Sequence, residues 1–372
     1  MKLFRLFLGA ILLNNFFVLN AWAQETPPLY EDEYFLGEVN EVIEEGLSEI
    51  IGEDRMVQTI EVGLPDGTTV RMNQDYSNFD QQSRRVDVGD QVVVLRNREL
   101  DNVFYFVADK YRTPGMVSLL VGFFVLTMVF AGFRGLTALL GLGFNILVII
   151  YFIIPRIVAG DSPLMICLLG GIVIAVVSLY CAHGLNKRAS IALGSTLITL
   201  FIAVFLAQLM VDWSSLSGTG TEEAFFLQFG ELAQVNLRGL LLGGIIIGAL
   251  GVLDDVTTTQ AAAVDELKKA NSSLDFGELY RRGISIGREH ITSLVNTLAL
   301  AYAGASLPLL LIFSISTQPL WVVLNSEFIA EELVRTLVGS TALILAVPIT
   351  TVIAAYYFCH HPATGLKGHQ HG

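Results

Sequence analysis

Two adjacent carboxylates, Asp254 and Asp255, stand where an apolar stretch of the chain gives way to polar residues. Ionisable groups at membrane depth are costly, so they rarely lie there without a function. On a continuing helix Asp254 shares a face with Thr258, and Asp255 shares a face with Thr259. Carboxylate and hydroxyl oxygens at a broken helix suit a hard cation, and paired carboxylates can share a proton. The pattern therefore indicates an ion or proton site without specifying a metal.

Helix capping is a second explanation of the same cluster. Thr257 and Gln260 have the spacing of a capping box, which would open a new helix after a break. Aspartates near a helix N-terminus are also stabilised by its dipole without any ligand. Residues 256–270 are predicted to form a helix at the cytoplasmic boundary or a re-entrant half-helix. Asp265 and Glu266 continue the two polar faces and are secondary site candidates.

A polar stripe opens the next apolar segment. Glu289, Ser293 and Asn296 lie at i, i+4 and i+7, with His290 beside them. In a membrane helix such a stripe must face protein or water. His290 is either a proton carrier or ligand, or an interfacial hydrogen-bonding residue. We expect the stripe to contact the two aspartates at the cytoplasmic side.

Glycines mark the apolar segment that precedes the aspartates. Their spacing includes two small-xxx-small pairs, which allow close approach of helices. This segment is therefore predicted to be central in a helix bundle. The packing glycines are Gly239, Gly243, Gly244, Gly248 and Gly251.

These residues belong to a chain that is too apolar for a soluble globule. Its 372 residues are 53% hydrophobic and 15% charged, with a mean hydropathy of +0.60. The composition predicts an α-helical polytopic membrane bundle of about seven helices within residues 113–358. The fifth span is short for a bilayer core of ~30 Å, which favours a break after it. The predicted spans are 115–133, 136–155, 163–181, 189–211, 239–254, 291–314 and 335–357, with a cytoplasmic loop at 255–290.

The N-terminus resembles a secretory signal. Residues 1–23 have a positive start, an apolar middle and an Ala-x-Ala end, which predicts cleavage after Ala23; an uncleaved first helix is the alternative. With residues 24–112 outside, nine Lys and Arg residues of the membrane part and tail fall in the cytoplasm and three on outer loops. This bias agrees with the positive-inside rule and places the tail, 359–372, in the cytoplasm.

Residues 24–112 are predicted to form a small, acidic, extracytoplasmic β-barrel-like domain. About five short strands alternate with turns, such as the one at Pro65-Asp66-Gly67. The domain holds 20 of the 35 acidic residues but 8 of the 22 Lys and Arg residues, so it would repel nucleic acid. The acid run from Glu25 to Asp54 is either a solvated or disordered segment or a cation site. A rigid cap or a docking module for a protein partner is the expected role.

The sequence lacks the motifs of several common enzyme classes. The sequence contains no phosphate-binding P-loop, no H-E-x-x-H and no G-x-S-x-G, so we expect neither an enzyme nor a bound cofactor. The three cysteines lie in or beside apolar segments, and no disulfide framework is expected. The histidines of the tail could bind a soft metal weakly, but a flexible tail is the simpler expectation.

Two long motifs make the membrane part similar to a known family. Residues 248–261 (GALGVLDDVTTTQA) and 287–304 (GREHITSLVNTLALAYAG) resemble the YibE/F family of bacterial multi-pass membrane proteins. The resemblance covers about residues 115–357 and implies a location in the bacterial plasma membrane. It offers no catalytic residues to carry over.

The sequence thus favours a secondary transporter or permease-like protein. Its partners would be the lipid bilayer and a small cation or a proton-coupled solute, and no oligomeric state follows. The alternative is a membrane assembly or signalling protein that transports nothing and binds a partner through its outer domain.

Overall fold

A computed structural model describes residues 31–50, 53–76, 85–99, 102–230 and 232–361. The predicted signal peptide and nearly all of the tail lie outside the described residues. The Cα positions divide the chain into two compact units, whose described parts are residues 31–130 and 131–361.

The first unit contains one antiparallel sheet of five strands, as the sequence predicted. Their order is β3-β2-β1-β4-β5, and the two edge strands approach each other in a half-barrel. The strands are β1 (Glu31–Ile50), β2 (Glu53–Gly63), β3 (Thr69–Tyr76), β4 (Gln91–Glu99) and β5 (Asn102–Lys110).

Residues 31–50 of the acid run form β1, the longest strand of the described residues. Strand β1 pairs with β4 along its first part and with β2 along its second part, and two bulges interrupt the second pairing. Alternation along a strand places successive side chains on opposite faces. Val39 is therefore buried in the sheet core while Glu38 is exposed, and Glu41 is exposed too because a bulge separates it from Val39.

One buried side chain holds the segment at residues 86–88 against the sheet. Residues 86–88 are not a strand, although Val86 is buried. The amide of Gln58 donates to the Val86 oxygen at 3.1 Å and accepts from the Val86 nitrogen at 3.0 Å. This side chain supplies the two hydrogen bonds that a neighbouring strand would otherwise make.

The described residues also form ten α-helices. A π-helical turn, Ile149–Ile153, joins the first two. The helices are α1 (Thr113–Val148), α2 (Ile154–Val158), α3 (Pro163–His183), α4 (Lys187–Trp213), α5 (Glu222–Leu227), α6 (Leu237–Ala270), α7 (Phe276–Ala305), α8 (Leu307–Ser314), α9 (Leu320–Leu324) and α10 (Glu327–His360).

Five helical segments of the described chain are long and apolar enough to cross a membrane, or six if α7 and α8 form one bent span. The first such segment, Thr113–Val158, contains both of the first two predicted spans. No loop separates them, but Gly132 has a non-helical backbone with φ of 57°. The structure therefore supports a multi-pass helical protein, while the count of seven stays a prediction.

Helix α6 is the centre of the second unit. It packs against α3, α4, α7 and α10, and its residues Leu250 and Leu253 are almost fully buried. Asn236 begins the helix by accepting a hydrogen bond from the Gly239 nitrogen at 2.9 Å, a cap that satisfies one free backbone donor. The predicted central position of this segment is thus confirmed.

Candidate functional site

The polar residues after Leu253 continue α6, so the expected helix break is absent. Thr258 donates its hydroxyl to the main-chain oxygens of Asp254 at 2.8 Å and Asp255 at 3.0 Å. Such bonds to the preceding turn satisfy threonine inside a helix. The prediction of a broken span was wrong, because these polar groups find partners without ending the helix.

The capping box expected at Thr257 and Gln260 is absent for the same reason. Both side chains are buried within α6 rather than placed at a helix start. Residues 255–290, predicted as a loop, are helical except for 271–275. Asp275 caps the second of these helices, α7. The cytoplasmic location of the segment remains a prediction.

Asp254 lies near the middle of α6 and has no charged partner among the described residues. Its Oδ1 atom is buried and has no hydrogen-bond partner among the described residues. The hydroxyl of Ser178, on α3, lies within hydrogen-bonding reach of the carboxylate. An unpaired buried polar atom destabilises the fold. A proton or a cation could satisfy this oxygen.

Asp255 lies on an open face of α6. At 100° per residue, Asp255 and Thr259 fall on the same side of the helix as the glycines that precede them. Both side chains are exposed, as is Glu266 further along this face. The two adjacent aspartates thus differ, because one is directed into the bundle and the other away from it.

The five glycines divide into two groups. A Cβ atom at Gly243 would lie 2.6 Å from the Cys167 sulfur, and one at Gly239 would lie 3.4 Å from Pro163, so these two allow close packing against α3. A Cβ atom at Gly244 or Gly251 would meet nothing within 4 Å, and one at Gly248 would meet a single tyrosine hydroxyl at 3.7 Å. The predicted packing role fits the first pair, whereas the last three line an exposed strip.

The polar stripe of α7 is exposed. Glu289, His290, Ser293 and Asn296 all lie on the accessible side of the helix. The opposite side carries Ile291, Leu294 and Leu298, which pack on the main core. In the described part of the chain, no hydrogen bond or ion pair joins the stripe to either aspartate.

Helix pairing explains why the stripe and the aspartates do not meet. Helix α7 runs antiparallel to α6, with Gly283 beside Gln260 at one end and Tyr302 beside Gly248 at the other. Asp254 is therefore level with the turn that contains Leu294. The stripe lies at the expected height but on another side of α7. Whether these groups act together stays a prediction.

Gln260 forms a junction that sequence reasoning missed. Its Nε2 donates to the Gly283 oxygen on α7 at 2.9 Å and to the Thr351 hydroxyl on α10 at 2.8 Å. A Cβ atom at Gly287 would lie 3.0 Å from the Gln260 Oε1 and 2.3 Å from a methyl group of Val347. Three helices are thus fixed to one amide, and only glycine fits beside it.

Buried hydroxyls continue this polar layer. The Thr196 and Thr257 hydroxyls lie 2.8 Å apart between α4 and α6, and both side chains are fully buried. On α10, the Thr350 hydroxyl is buried without a hydrogen-bond partner among the described residues. Serine and threonine in the middle of apolar spans could have indicated this buried polar layer. Their hydrogen-bond partners, however, lie on segments that are distant in the sequence.

Ion pairs lie at both ends of α6. Asp265 is 7% exposed and pairs with Arg188 on α4 and with Lys269, whose Nζ is 2.9 Å from its Oδ2. Arg188 also contacts Glu266. At the opposite end, Arg238 pairs with Asp212. The secondary candidates Asp265 and Glu266 therefore have structural partners that Asp254 lacks.

Metal-ligand geometry is absent from the described residues, where no three His, Cys, Asp or Glu side chains gather closely enough to hold a metal. Cys359 is a free thiol whose sulfur lies 3.9 Å from the Leu274 oxygen. His361 stacks on Tyr357. His360 contacts the Tyr356 ring, whereas His369 and His371 lie outside the described residues.

Comparison with known proteins gives one match. No curated protein and no solved structure matches the chain. The model of the YibE/F-like protein family matches residues 119–360, well over half of the sequence. This range includes the continuous helix α6 with its two aspartates and the polar stripe of α7. The chain therefore belongs to the YibE/F-like protein family.

Proposed function

We propose that this protein is a secondary transporter that moves a cation or a proton-coupled solute, and that Asp254 takes up the coupling ion. The observation that carries the proposal is the buried, unpartnered Oδ1 atom of Asp254 in the middle of a continuous helix. A carboxylate held for structural reasons alone would be expected to have a partner, as Asp265 does.

The depth of Asp254 supports this assignment. At 1.5 Å per residue, Arg238 and Asp265 lie about 40 Å apart along α6, and Asp254 lies about 24 Å from Arg238. If the ion pairs at the two ends mark the membrane surfaces, Asp254 falls within the ~30 Å hydrocarbon core. A carboxylate at this depth is a candidate for binding an ion that crosses.

The open face of α6 would bring an ion to Asp255, one residue away from this carboxylate. Gly244, Gly248 and Gly251 leave space beside the helix, and Asp255 and Thr259 make the same face polar. Polar groups at membrane depth are tolerated where they face protein or water. The exposed stripe of α7, with Glu289, His290 and Asn296, would be a separate polar surface, because it lies on another side of that helix.

The proposal includes an orientation in the bacterial plasma membrane. The acidic sheet domain lies outside and the C-terminus in the cytoplasm, as the distribution of Lys and Arg predicts. The non-helical backbone at Gly132 would divide Thr113–Val158 into two spans, which gives seven in total. No catalytic reaction is assigned.

A second candidate function rests on the exposed stripe of α7. A polar helix face that cannot remain against lipid would also be covered by another protein in a membrane assembly or signalling complex. In this case the acidic outer domain would bind an extracytoplasmic partner, and the aspartates would have no role in flux.

Flux in proteoliposomes tests the proposal. The purified protein is reconstituted with an internal pH dye and assayed with monovalent and divalent cations. We expect flux from the wild type, loss of flux in Asp254→Asn, and retention in Glu266→Gln, a matched change of an exposed acid on the same helix. Flux that survives Asp254→Asn would remove this residue from the path. Folded wild-type protein that moves no ion in either orientation would overturn cation transport and favour the assembly function.

A further inference from the structure

An open groove of about 570 Å³ lies between the start of α4 and the end of α10. Its apolar wall consists of Leu185, Ile191, Gly194 and Ile353. Leu185 is 84% exposed and adds an accessible apolar side chain to this wall. The groove thus offers a surface for a hydrocarbon chain at one end of the helical unit.

A cation lies at the rim of this groove. Lys187 lines it, and its Nζ is 5.7 Å from the centre of the Tyr357 ring, which also lines it. In the described part of the chain, Lys187 forms no ion pair, whereas the adjacent Arg188 is engaged with Asp265 and Glu266. The Lys187 charge is therefore available to a ligand.

Neutral polar groups stand beside this cation. Ser190 lines the groove, and its hydroxyl donates to the Asn186 oxygen at 3.1 Å and lies 3.1 Å from that of Tyr180. No Asp or Glu is among the lining residues. One cation, two kinds of hydroxyl group and an apolar wall match a molecule that joins a negative headgroup to a hydrocarbon chain.

We propose that the groove bounded by Lys187 and Tyr357 binds an anionic phospholipid, with its phosphate at Lys187 and an acyl chain along Ile191 and Ile353. The groove lies at the end of the unit where Arg188, Asp265 and Lys269 form their ion pairs. This is the predicted cytoplasmic end, where membranes carry anionic lipids and where basic pockets between helices bind lipid headgroups. The inference does not depend on transport.

Lipid binding to the purified full-length protein tests this site. Native mass spectrometry and the lipid-dependent rise in melting temperature are measured with phosphatidylglycerol and with phosphatidylcholine. We expect phosphatidylglycerol to bind more tightly, and Lys187→Ala to weaken it about fivefold, the contribution of one cation near a charged membrane surface. Lys269→Ala removes the same charge at the same end, outside the groove, and should leave this binding nearly unchanged.

A second variant tests the acyl-chain wall without altering charge. A Cβ atom at Gly194 would meet nothing within 4 Å, so Gly194→Leu should fill the groove without disturbing the helix. We expect it to weaken phosphatidylglycerol binding while the melting temperature of the lipid-free protein is retained. Equal losses in Lys187→Ala and Lys269→Ala, equal binding of the two lipids, or full competition by inorganic phosphate at the headgroup concentration would each overturn the proposal.

Discussion

Two stretches of helix α6 differ in whether their polar side chains have bonding partners. From Thr257 to Lys269, hydrogen bonds and ion pairs connect the helix to α4, α7 and α10. From Gly244 to Asp255, three glycines leave an open strip, and Asp254 has a buried oxygen without a partner. The first stretch is bonded to neighbouring helices, whereas the second has a carboxylate oxygen that is free to bind an ion. Both stretches belong to one unbroken helix.

This contrast separates the residues that position α6 from Asp254, which could bind a proton or a cation. An anchored stretch fixes the height and rotation of α6, so the Asp254 carboxylate in the neighbouring stretch is held in place although its Oδ1 atom has no hydrogen-bond partner among the described residues. Functional sites commonly keep unsatisfied groups that the surrounding structure stabilises. Four experiments test the contrast.

The largest effect is expected at Asp265. Asp265→Asn leaves Arg188 with one carboxylate instead of two and should lower the free energy of unfolding by about 3 kcal/mol. Equilibrium unfolding in mixed micelles measures this loss. The matched change Asp254→Asn should leave stability equal or higher, since no ion pair is broken. Similar losses in the two variants would contradict the division between an anchored and an available carboxylate.

Glycine substitutions provide the second test. Gly287→Ala forces a Cβ atom against Val347 and Gln260 and should destabilise the protein by about 2 kcal/mol. Gly251→Ala adds its methyl group to open space and should stabilise the helix by about 1 kcal/mol, the difference in helix propensity. Thermal unfolding of both variants shows whether each substitution raises or lowers the stability of the protein. Destabilisation by Gly251→Ala would show that something covers the open strip.

Removal of the junction at Gln260 should destabilise the protein slightly less. Gln260→Leu removes two buried hydrogen bonds and leaves the Gly283 oxygen without that donor, a loss of about 2 kcal/mol at most. Thr259→Val changes the exposed neighbour and is the control. Limited proteolysis between α6 and α7 would report the loosened junction. An unchanged cleavage rate would argue against a structural role for this amide.

The hydroxyl pair between α4 and α6 is expected to contribute least. Thr257→Val removes its hydrogen bond to Thr196 and should cost about 1 kcal/mol. The double variant with Thr196→Val should cost less than the sum of the two single changes, because both remove the same bond. Strict additivity would mean that the two hydroxyls do not interact.

The sequence predicted elements more successfully than contacts. Alternating and apolar patterns identified the sheet and the helical unit, because each pattern reports burial within one element. The polar run after Leu253 was mistaken for a helix end, since partners such as Ser178 and Thr196 lie far away in the sequence. A local pattern does not show that distant helices will accept these groups.

The same limit applies to side-chain direction. Glycine spacing gave the central helix correctly but did not distinguish buried Gly243 from exposed Gly251. The stripe of α7 had the correct height relative to Asp254, yet its rotation depends on Gly283 and Gly287, which the packing against α10 and Gln260 selects. Spacing determines which residues share a face, and packing determines where the face is directed.

The π-helical turn Ile149–Ile153 changes the phase of the chain around the helix axis. Val148 and Ile153 are five residues apart, which is about 140° around a regular α-helix. Both are nevertheless buried in the same core, and Ile153 occupies the space beside Gly170. The turn acts as a one-residue insertion, so deletion of a single residue there would make the helix regular but remove one of these two side chains from the core.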